Sequence, residues 1–286
     1  MTMMTEALPT LLLEPIVRAA LLEDLGRAGD ITSDAVLPAT ARCRGAIVAR
    51  ASGTIAGTDA AALAFRLLDP GIKVTIERPD GMEVAPGTSV MRIDGPARAV
   101  LGAERVALNL LCHLSGIATA TAALVRAARP HAARICCTRK TTPNLRALEK
   151  QAVRAGGGMN HRFGLDDAVL IKDNHIAVAG GVAEAIRRVK CSVGHMVKIE
   201  VEVDDLHQLR EALAEGVDVI LLDNMTPDQL RTAVLEIDGR AIAEASGRIN
   251  LETVPAVAAS GVDLISVGWI THSAPILDLG LDVEAA

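Results

Sequence analysis

Residues 135–175 read ICCTRKTTPNLRALEKQAVRAGGGMNHRFGLDDAVLIKDNH, and this segment sets the architecture of the chain. Two apolar runs, Ile135–Thr138 and Ala168–Ile171, each end in a charged cluster, Arg139-Lys140 and Lys172-Asp173-Asn174-His175. Between them lie a helical pattern, a Gly156-Gly157-Gly158 turn and the pair His161-Arg162. Short buried strands that stop on cations, repeated within one βα length, suit the C-terminal rim of a parallel sheet, where α/β sites are built. From Arg134 to His175, eight Lys/Arg stand against four Asp/Glu, a local charge of +4 in a chain of net charge −6. This predicts an anion-binding pocket.

Downstream the same unit repeats. Further strand candidates are Met196–Val203, Val217–Leu222, Ala241–Ala245 and Leu264–Val267. Amphipathic helices separate them, with Val182, Ala185, Ile186 and Val189 on one face, Leu206, Leu209 and Leu213 on the next, and Leu230, Ala233, Val234 and Ile237 on a third. Thr142-Pro143 and Thr226-Pro227 read as a capping hydroxyl before proline at the first helical position, and Gly156 and Gly216 as helix stops. Strands alternating with helices make parallel βαβ units. Six strands fall short of a closed eight-stranded barrel, so the expected fold is α/β, an open (incomplete) α/β barrel.

Upstream the texture differs. Residues 11–25 carry a helical period closed by Gly26, and the Gly-, Asp- and Thr-rich residues 23–38 read as a polar loop. CRGAIVAR (43–50), GIKVTIE (71–77) and SVMRI (89–93) have strand character between Gly/Pro turns, interrupted by a helix over Asp59–Leu68. This is an α+β unit with an antiparallel sheet. From Ala97 to Arg129 the pattern is helical, with Ser115-Gly116 predicted to break it in two. The expected domains are 1–115, an α+β sandwich with a leading helix, and 116–286, the barrel, whose last helices return to the first domain.

Composition excludes several classes. Half the residues are hydrophobic, yet no run approaches the roughly 20 apolar residues of a bilayer helix, so no membrane association is expected. The N-terminus has an acidic residue and no basic region, unlike a signal peptide. Five cysteines without CxxC spacing suit reduced thiols and a cytoplasmic location. With two Phe, one Trp, no Tyr and a negative net charge, the chain lacks the aromatic platforms of a nucleic-acid binder.

Each strand candidate ends in residues able to do chemistry: Arg139/Lys140, Lys172, Glu202, Asp223, Ser246-Gly247 and Gly268. Packing alone does not explain polar residues on buried strands, because an unpaired buried charge is expensive. Arg139, Lys140, His161, Arg162 and Lys172, with Arg105 as a further candidate, are donors for carboxylate and phosphate. Glu202 and Asp223 offer oxygen ligands for Mg²⁺ on a pyrophosphate, or acceptors for ribose hydroxyls. Ser246-Gly247 and Val267-Gly268 offer backbone N–H groups to a phosphate monoester. The pattern predicts a multiply anionic substrate beside a phosphorylated sugar, in a reaction carried by positioning and electrostatics.

The motifs HLSGIATAT (113–121), TRKTTPNLRALEKQAVRAGGGMNHRFGLDDAVLIKDNH (138–175), IEVEV (199–203), ILLDN (220–224), EASG (244–247) and SVGWITHS (266–273) resemble the quinolinate phosphoribosyltransferases. LLEDLGRAGDITSDAVLP (21–38) is similar to that family's N-terminal signature, so the resemblance spans nearly the whole chain. It implies an N-terminal sandwich domain, an open barrel and a homodimer. The implied reaction joins quinolinate to 5-phosphoribosyl-1-pyrophosphate with Mg²⁺, releasing pyrophosphate and CO₂ and giving nicotinate mononucleotide in de novo NAD biosynthesis. By position, Arg139, His161, Arg162 and Lys172 match quinolinate-binding residues, and Arg105 an arginine that enters the neighbouring subunit's site. Lys140, Glu202, Asp223, Ser246, Gly247 and Gly268 match residues that handle the phosphoribosyl donor, with His272 near its phosphate end. Catalytic roles fall to Lys140, Lys172, Glu202 and Asp223, and metal binding to Glu202 and Asp223.

The chain departs from the family pattern in three places. Cys137 stands for the usual Asp before TRKT, Asn144 for the usual Gly, and Arg248 where a second Gly is common after EASG. Arg248 bears on the shape of the phosphate loop, since glycine accepts φ > 0 and arginine resists it. Alternative functions are a related phosphoribosyltransferase acting on another pyridine carboxylate, such as nicotinate, and a non-catalytic phosphosugar-binding barrel. The number of cations and the intact NHR and IKDNH motifs favour quinolinate.

Overall fold

The computed structural model describes residues 8–285. In chain order it begins with helices α1 (Thr10–Leu25) and α2 (Ile31–Val36) and strands β1 (Arg42–Ala49) and β2 (Gly53–Thr54). Helix α3 (Thr58–Leu68) precedes β3 (Lys73–Ile76), β4 (Glu83–Val84) and β5 (Ser89–Pro96), and then the long α4 (Ala97–Ala127). The alternating region follows: β6 (Arg134–Cys136), α5 (Arg146–Ala155), β7 (Val169–Ile171), α6 (Asp173–Ala179), α7 (Val182–Ser192), β8 (Ile199–Val203) and α8 (Leu206–Glu215). It continues through β9 (Val219–Asp223), α9 (Pro227–Ile237), β10 (Ile242–Ser246), α10 (Val254–Ala258), β11 (Leu264–Ser266), α11 (Trp269–His272) and β12 (Leu279–Ala285).

Two compact units interleave along the chain. One comprises the residues up to Ala122, Thr141–Gly157 and the segment from Ile270 onward; the other comprises Ala123–Lys140 and Gly158–Trp269. The expected division at 115/116 follows the order of elements along the chain, whereas α5 and the C-terminal segment pack with the N-terminal unit. A helix that follows a strand reads as a barrel helix, and contiguity cannot reveal that α5 packs elsewhere.

The first unit is built on an antiparallel sheet of order β12-β1-β5-β3. Its strands alternate: in β1, Cys43, Ile47 and Ala49 are buried while Arg42 and Arg44 face solvent, the pattern of a sheet with one wet face. The return of the chain, expected as helices, is made by a strand, β12, which pairs along β1 from Cys43 to Ala49. Polar and apolar residues alternate over 279–285, a strand period that the Pro275 and Gly280 punctuation obscures. Within the segment expected as a polar loop, Asp30 caps α2 by accepting the Thr32 and Ser33 N–H groups at 3.1 and 3.0 Å.

The predicted break at Ser115-Gly116 does not occur, and α4 runs unbroken. Gly116 is there for space: a Cβ would lie 2.2 Å from the Pro275 carbonyl oxygen and 2.9 Å from the Ile276 Cα. Ser115, fully buried, donates to the Ala56 carbonyl and accepts the Ala56 N–H at 3.0 Å. By length and composition α4 could cross a bilayer, but most of that stretch is buried in the protein, Leu111, Leu114, Ile117 and Leu124 almost completely. Helix α5 begins at Arg146, not after Thr142 as the Thr-Pro signal suggested. The Thr142 N–H instead donates to Glu149 Oε2 at 3.0 Å, and Asn144 takes the left-handed turn at φ 65°. Buried Glu149 also meets His113 Nε2 at 2.9 Å.

The second unit holds six parallel strands in the order β6-β11-β10-β9-β8-β7. The first strand pairs with the last, and the second lies at the far edge, so the sheet curls into an open α/β barrel with its gap between β6 and β7. Strands buried on both faces read as continuous apolar runs, as in Val201, Val203, Ile220 and Leu222, all fully buried. Thr226 caps α9 in a capping box with Gln229, and Gly156 and Gly216 end α5 and α8 as expected.

Candidate active site

All six parallel strands end at one rim, and a cavity of about 390 Å³ opens there. It is lined by Arg139, Lys140, His161, Arg162, Lys172, Glu202, Asp223 and Ser246 among the expected residues, and by Glu244 and Ser266, which sequence reasoning missed. Glu244 left a signal, an acid inside the buried run IAEAS. Gly247 follows Ser246 directly, and Gly268 follows β11. Arg105 and His272 belong to the other unit, Arg105 exposed on α4 and His272 at the end of α11, where its Nδ1 meets Ser273 Oγ at 2.6 Å.

The basic side is assembled beside the gap. After β6 the Thr138 hydroxyl accepts the Lys140 N–H at 3.0 Å, folding the TRK segment back on itself. The next stretch of this unit runs parallel to β6: the Met159 N–H donates to the Ile135 carbonyl at 2.8 Å, and the Cys137 N–H to the Met159 carbonyl at 3.1 Å. Cys137, where the family has Asp, is fully buried with its Sγ 3.5 Å from Asn160 Oδ1. These bonds carry His161 and Arg162 to the rim. Arg162 donates through Nη1 to the Ala168 carbonyl at 2.7 Å, and its buried Nε has no partner in the protein. Burial foremost, then the charge of Arg139, holds the Arg162 guanidinium below the usual arginine range, with Glu200 and Asp167 opposing the shift. A guanidinium held in this way gains from an anion.

Lys172 follows β7, with its amide donating to His175 Nδ1 at 2.9 Å and its Nζ paired with Glu202. Glu200 and Glu202 share one face of β8, but depth separates them. Glu202 reaches the cavity, whereas Glu200, 6% exposed, meets His161 Nε2 at 2.9 Å. Glu244, 1% exposed, lies 3.8 Å from the same nitrogen, and its carboxyl is pushed up to about 7 by burial and by Glu200. Among the described residues, His161, Glu200 and Glu244 form a cluster whose ligand-type atoms fall within 4.8 Å of one another.

On the acidic side Asp223 pairs in register with Ser246 across β9 and β10 and accepts from the Asn224 side chain at 2.5 Å. Gly247 has φ +98°, and a Cβ there would lie 2.3 Å from Asn224 Oδ1 and 2.9 Å from its backbone nitrogen. Gly247→Ala should therefore destabilise the protein by about 2 kcal/mol, from left-handed strain plus a clash with backbone. Urea unfolding checks this; an unchanged midpoint contradicts it. Arg248 does adopt the left-handed conformation, at φ 53°, so the loop keeps a glycine-type shape despite the arginine. The Trp269 indole N–H, donating to the Ile249 carbonyl at 2.9 Å, pins the residue that follows.

One cavity thus joins a cluster of forked and point-charge donors to a pair of carboxylates with a hydroxyl and a backbone turn. The comparisons with known proteins agree with this chemistry. Residues 30–115 and 117–282 match the family models of the quinolinate phosphoribosyl transferase N-terminal and C-terminal domains. A probable nicotinate-nucleotide pyrophosphorylase [carboxylating] of Bacillus subtilis is 46% identical over 271 residues, covering 95% of this chain and 93% of that protein. The nicotinate-nucleotide pyrophosphorylase [carboxylating] of Mycobacterium leprae is 46% identical over 275 residues, with 93% and 95% covered. The solved structure of the nicotinate-nucleotide pyrophosphorylase from Francisella tularensis superposes with a TM-score of 0.93 at 36% identity, covering 99% of this chain and 100% of that one. With both domains matched and relatives aligned over nearly their full length, the chain belongs to the quinolinate phosphoribosyltransferase family.

Proposed function

We propose that this chain transfers the phosphoribosyl group of 5-phosphoribosyl-1-pyrophosphate to quinolinate, releasing pyrophosphate and CO₂ and giving nicotinate mononucleotide in de novo NAD biosynthesis. The observation that carries this reading is the meeting of Arg139, Arg162 and Lys172 with Glu202 and Asp223 in one cavity. A pyridine dicarboxylate needs two sets of cationic donors, and the three cations lining the cavity supply them. Lys140, Ser246, Gly247 and Gly268 take the phosphate groups of the donor.

The pyridine nitrogen attacks the anomeric carbon as its bond to pyrophosphate breaks. Positive charge then rests on the ring nitrogen. The electron pair of the C2–carboxylate bond falls onto C2 beside it, CO₂ departs, and C2 takes a proton from water. Arg139 and Lys172 orient that carboxylate, while Glu202 and Asp223 face the ribose and its leaving group. Two carboxylates at adjacent strand ends are hard oxygen donors of the kind magnesium takes beside substrate phosphates, so Glu202 and Asp223 would hold Mg²⁺. When bound, it neutralises charge on the departing pyrophosphate.

The working form is a homodimer in which exposed Arg105 of one protomer serves the cavity of its partner. Arg105→Ala and Arg139→Ala, each inactive alone, then recover about a quarter of wild-type activity after subunit exchange, because half the dimers are mixed and each carries one intact site. Absence of recovery contradicts sharing. Five free thiols suit a cytoplasmic setting.

The reaction is tested with purified protein, Mg²⁺, phosphoribosyl pyrophosphate and either quinolinate or nicotinate. Mononucleotide and equimolar CO₂ are expected from quinolinate alone. Turnover of nicotinate in preference, or donor binding without pyrophosphate release, overturns the reading.

A further inference from the structure

On the basic side of the cavity, half-buried His161 meets buried Glu200 and Glu244, a group that the reaction above does not use. The Arg162 N–H donates to His161 Nδ1 at 2.8 Å, so that nitrogen holds a lone pair and the ring hydrogen sits on Nε2. Nε2 is 2.9 Å from Glu200 Oε2. Both ring nitrogens are therefore engaged within the protein. Neither is left to donate to a substrate carboxylate, and neither offers a lone pair to a metal despite the closeness of the three groups.

Glu200 is the partner that makes this arrangement hold. It is 6% exposed, its Oε2 meets the His161 ring, and its Oε1 has no hydrogen-bond partner. Its negative charge also opposes the effect of Arg139 on Arg162, two guanidinium groups that repel across the cavity wall.

We propose that Glu200 is a positioning residue for quinolinate: it locks the His161 ring as the Nε2–H tautomer, fixes the His161-Arg162 backbone through that ring, and offsets the repulsion between Arg139 and Arg162. His161 is then a positioning residue as well, in place of the substrate contact implied by resemblance. The kinetic part of this inference rests on the quinolinate reading; the tautomer does not.

The test compares wild type, Glu200→Gln and Glu200→Ala by steady-state kinetics and by ¹⁵N spectroscopy of the histidine rings, with His161→Asn assigning the signal. In the wild type, Nδ1 of His161 is unprotonated and Nε2 protonated. Glu200→Gln keeps an acceptor for Nε2–H and therefore the tautomer, but removes the charge. It is nearly isosteric and carries the test if the alanine variant fails to fold. It should raise the KM for quinolinate about tenfold while leaving that for phosphoribosyl pyrophosphate unchanged, because a charged partner is lost on one side of the cavity only. Glu200→Ala raises it further and releases the tautomer to a mixture.

A rise in both KM values together, or in neither, overturns the proposal. So does a wild-type His161 with its proton on Nδ1, or a tautomer unmoved in Glu200→Ala. A wild type that turns over no quinolinate yet shows the Nε2–H tautomer refutes the function and leaves the locking role standing.

Discussion

Lys172→Ala lowers kcat/KM for quinolinate by about 30- to 1,000-fold, the equivalent of about 2–4 kcal/mol for one charge-assisted anchor in a partly desolvated site. Lys172 follows the last residue of β7 and lines the cavity between the basic cluster and Glu202. Its ammonium pairs there with an acid assigned to the donor side. Truncation removes the cation proposed to hold the substrate carboxylate and also releases Glu202 from its ion pair. Stability should change little, because the lysine side chain is 46% exposed and such an ion pair contributes about 0–1 kcal/mol. Kinetics beside a thermal melt separate the two effects. A variant that melts normally and keeps wild-type turnover refutes the assignment of Lys172, and one that unfolds shows the residue to be structural.

The second large effect concerns pH. The Glu244 carboxyl titrates at about 7 in the folded protein against an ordinary value of 4.5, because burial and the neighbouring Glu200 disfavour its charge. Below about pH 4.5 both folded and unfolded chains hold this proton and nothing is lost. Between about 4.5 and 7 the unfolded chain releases it and the folded chain does not, so stability falls as pH rises, by about 3 kcal/mol in all. Above about 7 the loss is complete. Glu244→Gln has no proton to release, so its stability relative to wild type should improve by about 3 kcal/mol between about pH 4.5 and about pH 8. Urea unfolding at the two pH values measures this difference directly. A stability difference that does not vary with pH sinks the prediction.

Much of the second unit was legible in order along the chain. Six strand candidates correspond to β6–β11, because strands buried on both faces are runs of Val, Ile and Leu bounded by Gly and charge. Arg139, Lys140, Lys172, Glu202, Asp223 and Ser246 stood out because a polar residue ending such a run has no packing reason to be there, and they do line one cavity. Signals that depend on neighbours were less reliable. Gly116 read as a helix breaker, but the missing Cβ admits Pro275, from the far end of the chain. Thr142-Pro143 read as a helix cap, but the Thr142 amide is claimed by buried Glu149. Alternation puts Glu200 on the same face as Glu202, and only the structure separates them, because period two reports the face of a strand and says nothing of depth along it.

The sequence by itself determined the alternation of strands and helices, the residues at the strand ends and the sign of the charge gathered there. These are local properties, written in periodicity and in the order of apolar and charged residues. Tertiary structure alone decided that the gap of the open barrel falls between β6 and β7, that β12 joins the first sheet, and that His161 meets Glu200. Each of these depends on hydrogen-bonding groups that meet only after distant strands have paired, and a linear pattern carries no record of which of them will be neighbours.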